Sequence, residues 1–259
     1  MIQSSGYQAA YFWFGLGQGI VLTVIGLLLR APRETEVMPA TPAHVPQGKH
    51  DRAPHEVLRS SSFWLMYIMF VMVGFGGLLV TSQIAPVAAH FAVGNVPISF
   101  LGWTIPTLSF AFLLKSVLNA SSRPFFGWAS DRYGRERAML VAFPLQAVAI
   151  FGWIWFAHIP WLFVLGAGLA FFAWGQIFAL FPATCADTYG SKFAAANYSL
   201  LYTAKGVAAL LVPLGNVLYD ATASWTAVFA VPSVLAAFAT ILAWRVLGPA
   251  RLRAMAKEA

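Results

Sequence analysis

Seven long apolar segments alternate with short polar segments along the chain. A helix that crosses a bilayer needs about 20 mostly apolar residues, and each segment reaches that length. The pattern therefore predicts an all-α transmembrane protein, a bundle of seven spans. The predicted spans are residues 7–29, 63–89, 97–126, 138–157, 161–181, 193–219 and 225–247.

Composition supports a lipid environment. Of 259 residues, 59% are hydrophobic and 10% are charged, and the mean hydropathy is +0.72. Soluble domains carry about 25% charged residues, so this chain has too few charges to cover a water-exposed surface. The net charge of +7 would favour nucleic acid in a soluble protein. In a membrane protein its placement matters more, and no nucleic-acid partner is expected.

Residue types that carry catalysis or metal binding form no pattern here. The single cysteine, Cys185, excludes an intrachain disulfide and a thiolate metal site, and the five histidines show no ligand spacing. The sequence shows no Ser/His/Asp set and no phosphate-binding loop. We therefore expect no metal, no cofactor and no enzyme activity.

Basic residues alternate between the links that join the predicted spans. Five Lys or Arg lie in 30–62, three in 131–137, one at Lys192 and four from Arg245 onward, whereas 90–96, 157–160 and 220–224 hold none. Positively charged links stay on the cytoplasmic side. We expect a multi-pass protein of the cell membrane with an outer N-terminus and a cytoplasmic C-terminus.

One link is long, charged and rich in proline, and it divides the chain into predicted domains. Residues 31–62 are expected to form an irregular or partly disordered cytoplasmic linker. Before it lies a single span, in residues 1–30. After it lie a six-span block, residues 63–248, and a cytoplasmic tail, residues 249–259.

Three basic residues, Lys115, Arg123 and Lys205, fall within predicted spans, whereas all nine acids are expected in links or the tail. Lys205 is about 18–21 Å from either end of its span, too deep for its side chain to reach water. A basic residue at this depth costs about 2.5–3.5 kcal/mol. Deprotonated lysines, backbone carbonyls freed by prolines, or a soluble anion could relieve that cost. The third possibility makes a small organic anion the substrate.

Aromatic residues accompany these cations. Tyr202 lies three residues before Lys205 on the same helical face, and Trp174 and Phe178 are one turn apart on another span. Aromatic walls with a few polar groups are typical of small-molecule sites. The candidate substrate-binding residues are Arg123, Lys205, Trp174, Tyr202, Phe178 and Lys115.

Two motifs resemble those of a known family. GWASDRYGR, residues 127–135, resembles the cytoplasmic loop signature of the major facilitator superfamily. LNASSRPFFGWASD, residues 118–131, and AANYSLLYTAKG, residues 195–206, resemble the oxalate/formate antiporter family within it. The signature residues are Gly127, Asp131, Arg132, Gly134 and Arg135.

The resemblance implies antiport of small carboxylates by alternating access, with Arg123 and Lys205 as the anion-binding pair. Trp174 matches an aromatic position of that family's cavity, whereas Phe178 and Tyr202 differ from its usual aromatics, so carboxylates other than oxalate stay open. The resemblance covers the chain from Tyr7 onward but only the back half of a twelve-span protein. The expected fold is the C-terminal six-helix half plus one preceding span, a truncated form whose missing N-terminal half is an expected partner.

Three alternatives remain. The chain could be a proton-coupled monocarboxylate transporter, or a membrane subunit that binds another protein without transporting. Seven spans and a buried lysine also fit a retinal-type photoreceptor. A Schiff-base lysine needs a carboxylate counter-ion within the membrane, however, and the predicted spans contain none.

Overall fold

The computed structural model describes residues 2–29, 48 and 50–256, and side chains within 6–253 of these ranges. Contacts divide the chain into two compact units, residues 1–40 and 41–259.

The first unit contains one helix, α1 (Ile2–Leu28), in which Gly6 departs from helical geometry with φ of 75°. Almost all of its described side chains are exposed, including large ones such as Trp13 and Leu27. A helix that is apolar on every side is typical of a lipid environment. The segment Gly6–Leu28 is long and apolar enough to cross a membrane, which confirms the first predicted span.

The second unit is a helical bundle. Its elements are α2 (Pro54–Val57), α3 (Ser61–His90), β1 (Pro97–Phe100), β2 (Trp103–Pro106), α4 (Thr107–Tyr133), α5 (Arg135–Phe156), α6 (Pro160–Gly175), α7 (Ile177–Tyr189), α8 (Ala194–Leu211), α9 (Leu214–Thr222), α10 (Trp225–Leu242) and α11 (Gly248–Ala256). A π-helical turn, Ala243–Leu247, joins α10 to α11. Helix α4 packs along α6, α5 contacts α6 and α10, and α3 contacts α8 and α10.

The helical transmembrane fold is confirmed. Besides Gly6–Leu28, five segments of the described chain have the length and composition of spans: Ser61–His90, Arg135–Phe156, Pro160–Tyr189, Ala194–Thr222 and Trp225–Arg253. The remaining predicted span corresponds to α4, whose 27 residues extend about 40 Å. Helix α4 is more polar than the other six because it contains Lys115, Arg123, Asp131 and Arg132.

The boundaries predicted for that span are wrong at both ends. Its first ten residues form an antiparallel hairpin in which Pro97 pairs with Pro106 and Phe100 with Trp103. Leu101 and Gly102 both have positive φ, as a two-residue hairpin turn requires, and Pro106 lacks the backbone donor that a helix interior needs. At the other end α4 continues to Tyr133, so Asp131 and Arg132 belong to its last turn.

Part of the predicted irregular linker packs against the bundle. The backbone nitrogen of Arg52 donates to the carbonyl of Tyr189 at 2.9 Å, and the Nδ2 of Asn197 donates to the carbonyl of Arg52 at 3.0 Å. The Oδ1 of Asp51 accepts from the backbone nitrogen of Lys192. Residues 30–47 and Lys49 lie outside the described residues. The predicted domain boundaries remain predictions.

Two of the spanning segments are interrupted. Helices α6 and α7 are separated at Gln176, six residues before Pro182, and α8 and α9 are separated at Val212 and Pro213. A proline within a helix removes a backbone donor and clashes with the preceding turn. Trp174 and Phe178 therefore lie on opposite sides of the interruption between α6 and α7.

Candidate functional site

Two cations from different helices approach one aromatic ring. The guanidinium carbon of Arg123, on α4, lies 4.6 Å from the ring centroid of Phe178, and the Nζ of Lys205, on α8, lies 5.2 Å from the same centroid. The two charged groups are therefore at most about 10 Å apart. A cation over an aromatic face gains about 0.5–2 kcal/mol. Three of the predicted site residues thus meet at α7.

Tyr202 and Trp174 extend this cluster. The Nζ of Lys205 donates to the hydroxyl oxygen of Tyr202 at 3.2 Å. The ring centroid of Phe178 is 6.2 Å from that of Tyr202 and 5.4 Å from that of Trp174. Tyr198 continues the row, with its ring 5.6 Å from Tyr202. The structure therefore brings five of the six candidate substrate-binding residues together.

Close helix packing holds Trp174 in position. Its side chain is buried, at 7% exposed, and a Cβ at Gly77 of α3 would overlap the indole ring. A Cβ at Gly175 would likewise overlap the Oγ of Ser122 on α4. The two glycines therefore allow α6 to approach α3 and α4 closely. The Nε1 of Trp174 has no hydrogen-bond partner among the described residues, which leaves a buried donor beside the cluster.

The sixth candidate, Lys115, lies apart from the other five. Its Nζ is 4.4 Å from the ring centroid of Phe171 and 4.8 Å from that of Phe112. Eight residues of helix separate Lys115 from Arg123, about 12 Å along the axis of α4. Sequence reasoning missed Phe171, although its spacing of three residues from Trp174 places both on one helical face.

The central cations have no carboxylate partner in the described part of the chain. None of Arg123, Lys205 and Lys115 takes part in the described ion pairs, which join Arg135 to Asp131 and Asp187, and Arg251 to Glu136. The expectation that every acid lies in a link or the tail is wrong, because Asp131 lies in the last turn of α4 and the buried Asp187 in the last turn of α7. These acids pair with Arg135, so the central cations stay uncompensated.

The loop signature surrounds a buried arginine. Gly134 joins α4 to α5 with φ of 97°, a conformation that favours glycine. Arg135 is 5% exposed, and it donates from Nε to Asp187 at 2.6 Å and from Nη1 to Ser130 at 2.6 Å and to Asp131. Arg132 is exposed. The fifth signature residue, Gly127, has open space where a Cβ would stand.

No metal site accompanies the cluster. In residues 2–29, 48 and 50–256, no group of three or more His, Cys, Asp or Glu is placed to hold a metal ion. The arrangement instead offers donors and positive charge: a guanidinium, an ammonium, a phenol and an indole N–H. Such groups bind carboxylates.

The family model for the Major Facilitator Superfamily matches residues 1–213 and 91–258, and the chain belongs to this family. The Oxalate:formate antiporter of Oxalobacter formigenes is 28% identical over 94% of this chain and 55% of its own length. An uncharacterized 38 kDa protein of Thermoproteus tenax is 27% identical over 95% of this chain and 57% of its own. The chain thus spans about half the length of these relatives.

A solved structure has the same fold. The proton:xylose symporter XylE, a major facilitator superfamily protein, superposes with a TM-score of 0.61 at 14% identity, over 78% of this chain and 50% of the symporter. At this identity the likeness concerns the fold. The helices of this chain accordingly form half of a major facilitator bundle.

Proposed function

We propose that this member of the major facilitator superfamily binds small carboxylates between Arg123 and Lys205 and takes part in their exchange across a membrane by alternating access. The observation that carries the proposal is the pair of cations around Phe178, neither of which has a carboxylate partner in the described chain. A soluble anion would supply the compensation that the described carboxylates do not.

The donors around Phe178 suit a carboxylate ligand. The planar guanidinium of Arg123 can bind both oxygens of one carboxylate, whereas Lys205 offers a compact charge to the same or a second carboxylate. Tyr202 accepts a hydrogen bond from Lys205, so its own hydroxyl hydrogen can point to the ligand. The unpartnered Nε1 of Trp174 is a fourth donor.

Charge favours exchange over leakage. The empty site has two positive charges, and enclosing them in a low-dielectric interior is costly. A dicarboxylate such as oxalate neutralises both charges, and a monocarboxylate such as formate neutralises one. Alternating access opens the site to each side of the membrane in turn. If the site closes readily only when a ligand is bound, every change of access carries a ligand, as antiport requires. The name of the Oxalobacter formigenes relative makes oxalate and formate the first ligands to test.

A complete transport cavity needs more helices than these. Arg123 and Tyr202 are exposed in the second unit, and the chain spans about half the length of its relatives. We propose that a second, N-terminal half covers this site and that the present chain binds carboxylate without exchanging it. Reconstitution of the chain in liposomes loaded with labelled oxalate should then show no exchange, and robust exchange would contradict this part of the proposal.

Ligand-induced stabilisation in nanodiscs tests the binding site. A ligand at 100 times its Kd stabilises the folded state by about 2.7 kcal/mol. We expect oxalate to raise the Tm of the wild type but not of Arg123→Gln or Lys205→Met. The exposed Arg132 supplies a matched control, because Arg132→Gln should keep the full response. Equal responses in all four proteins would refute the site.

A further inference from the structure

We infer that Lys115 forms a second anion site, which holds a monocarboxylate on the hairpin side of the Arg123 and Lys205 site. The inference rests on the proposed function, since it assigns a further step to the same ligands. The structure separates Lys115 from the central cluster.

Helix α4 begins beside the hairpin and leads to the loop signature. Lys115 is its ninth residue, and Arg123 follows eight residues later, so the backbone of Lys115 is about 12 Å nearer to the hairpin along the helix axis. The ring partners follow the same order, because Phe171 precedes Phe178 by seven residues. Lys115 and Arg123 thus lie over different rings, and in this proposal Lys115 binds an anion of its own.

The surroundings of Lys115 leave its charge open to a ligand. The side chain is half-buried, and its described contacts to Phe171 and Phe112 are aromatic faces. No described carboxylate forms an ion pair with it. An aromatic face compensates a cation only partly, so a site of this kind attracts an anion. Arg123 is in the same position, because it lies over the ring of Phe178 and forms no described ion pair.

Side chains between the two sites join them into one path. Asn119 lies one turn after Lys115; its Nδ2 donates to the carbonyl of Phe171 at 3.3 Å, and its Oδ1 accepts from Arg123 at 3.5 Å. The ring of Trp174 contacts both Phe171, at 5.6 Å, and Phe178, at 5.4 Å. An anion that leaves Lys115 thus meets polar and aromatic groups that continue to Arg123.

Charge selects the type of ligand at each site. A dicarboxylate at Arg123 and Lys205 neutralises that pair and leaves one positive charge at Lys115. A monocarboxylate neutralises this remaining charge, whereas a second dicarboxylate would leave the path negative. The three cations together therefore fit one dicarboxylate and one monocarboxylate, the two classes of anion that the proposed antiport moves in opposite directions.

Protection of individual lysines tests this assignment. The purified chain in nanodiscs is treated briefly with an amine-reactive reagent, and labelling at each lysine is measured by peptide mass spectrometry. Oxalate at ten times its Kd should reduce labelling of Lys205 about tenfold, by occupancy alone. Formate added next should reduce labelling of Lys115 severalfold. Lys192 is the matched control, because it also lies over a ring, that of Phe193, but is exposed.

The possible outcomes separate the two proposals. Protection of Lys205 without any protection of Lys115 overturns the second site and leaves the central one standing. Equal protection of both lysines by oxalate alone, with no further effect of formate, overturns it as well. Absence of protection at Lys205 contradicts the proposed function, and the second site with it.

A second measurement does not depend on the reactivity of Lys115. Binding of ¹³C-formate is followed by NMR at saturating oxalate, which should show one formate for each wild-type chain and none for Lys115→Gln. The control variant Lys192→Gln should bind one formate for each chain. Unchanged formate binding by Lys115→Gln overturns the inference, whether or not the lysine can be labelled.

Discussion

Two arginines twelve residues apart, Arg123 and Arg135, have opposite surroundings. Arg135 is buried and donates to Asp187, Asp131 and Ser130. Arg123 has one 3.5 Å hydrogen bond to Asn119 and faces the ring of Phe178. The first arginine has its charge balanced within the fold, whereas the second does not. This difference is what the proposed roles require, a structural one for Arg135 and a ligand-binding one for Arg123.

The same contrast separates Arg251 from Lys205. Arg251 is 2% exposed, pairs with Glu136 of α5 and donates to Thr188 of α7 at 2.7 Å. It thereby links three helices at the end of the bundle that contains the loop signature. Lys205 has one described hydrogen bond, to the phenol of Tyr202, and lies over the ring of Phe178. The described ion pairs thus lie at one end of the bundle, and neither Arg123 nor Lys205 takes part in them.

The largest effect should follow from breaking the paired region. Arg135→Met removes a charged partner of the buried Asp187, and breaking a buried ion pair in this way costs about 3–5 kcal/mol. We expect a large fall in Tm in nanodiscs. Arg132→Met, at an exposed neighbour, should change stability by about 0.5 kcal/mol or less. Similar Tm values for the two variants would show that Arg135 has no structural role.

Disturbing the packing around Trp174 should have the next largest effect on stability. Gly77→Ala places a methyl group against the indole, and overpacking of this kind costs about 1–3 kcal/mol. The variant should melt earlier and bind oxalate more weakly. Gly127→Ala is the control, because its Cβ meets open space, and it should be neutral or slightly stabilising. If Gly77→Ala is as stable as the wild type, the packing around Trp174 is not tight.

Removing a central cation should act in the opposite direction from removing Arg135. Lys205→Met eliminates an uncompensated charge, and the gain in stability can reach about 2.5 kcal/mol. Thermal unfolding without ligand should show an equal or higher Tm, while oxalate no longer raises it. A clear loss of stability in this variant would show that Lys205, like Arg135, has a structural role.

The smallest effect concerns the ring between the two cations. A double-mutant cycle with Lys205→Met and Phe178→Leu isolates their coupling, which should be about 0.5–2 kcal/mol for a cation over an aromatic face. Unfolding of the four proteins without ligand provides the value. Strict additivity would mean that Phe178 only fills space between α4 and α8.

The sequence predicts the helices that are apolar throughout, because length and hydropathy alone define them, as in α3 and α10. It also places Arg123 and Lys205 in the bundle, since their depth follows from helix geometry. It does not predict the hairpin at 97–106, where an apolar segment with positive φ at Leu101 and Gly102 resembles a span in composition.

Contacts between residues that are distant in sequence are the main feature of the structure that the sequence does not predict. Arg135 and Asp187 are 52 residues apart, and no local pattern relates them. Lys115 and Phe171 likewise meet only because α4 packs along α6. The separation of Lys115 from the other five candidates follows from tertiary packing together with helix rise, whereas the sequence pattern predicts one site for all six.

Solid-state NMR of the chain in lipid, with ¹³C-oxalate and ¹⁵N-labelled arginine and lysine side chains, measures the contact between the ligand and the two cations. We expect dipolar couplings from the ligand carbon to one arginine and one lysine, at distances of about 4 Å or less, as charge-assisted hydrogen bonds require. The arginine coupling should vanish in Arg123→Gln and the lysine coupling in Lys205→Met. Couplings that persist unchanged in both variants, or that are absent from the wild type, would show that Arg123 and Lys205 do not bind the ligand.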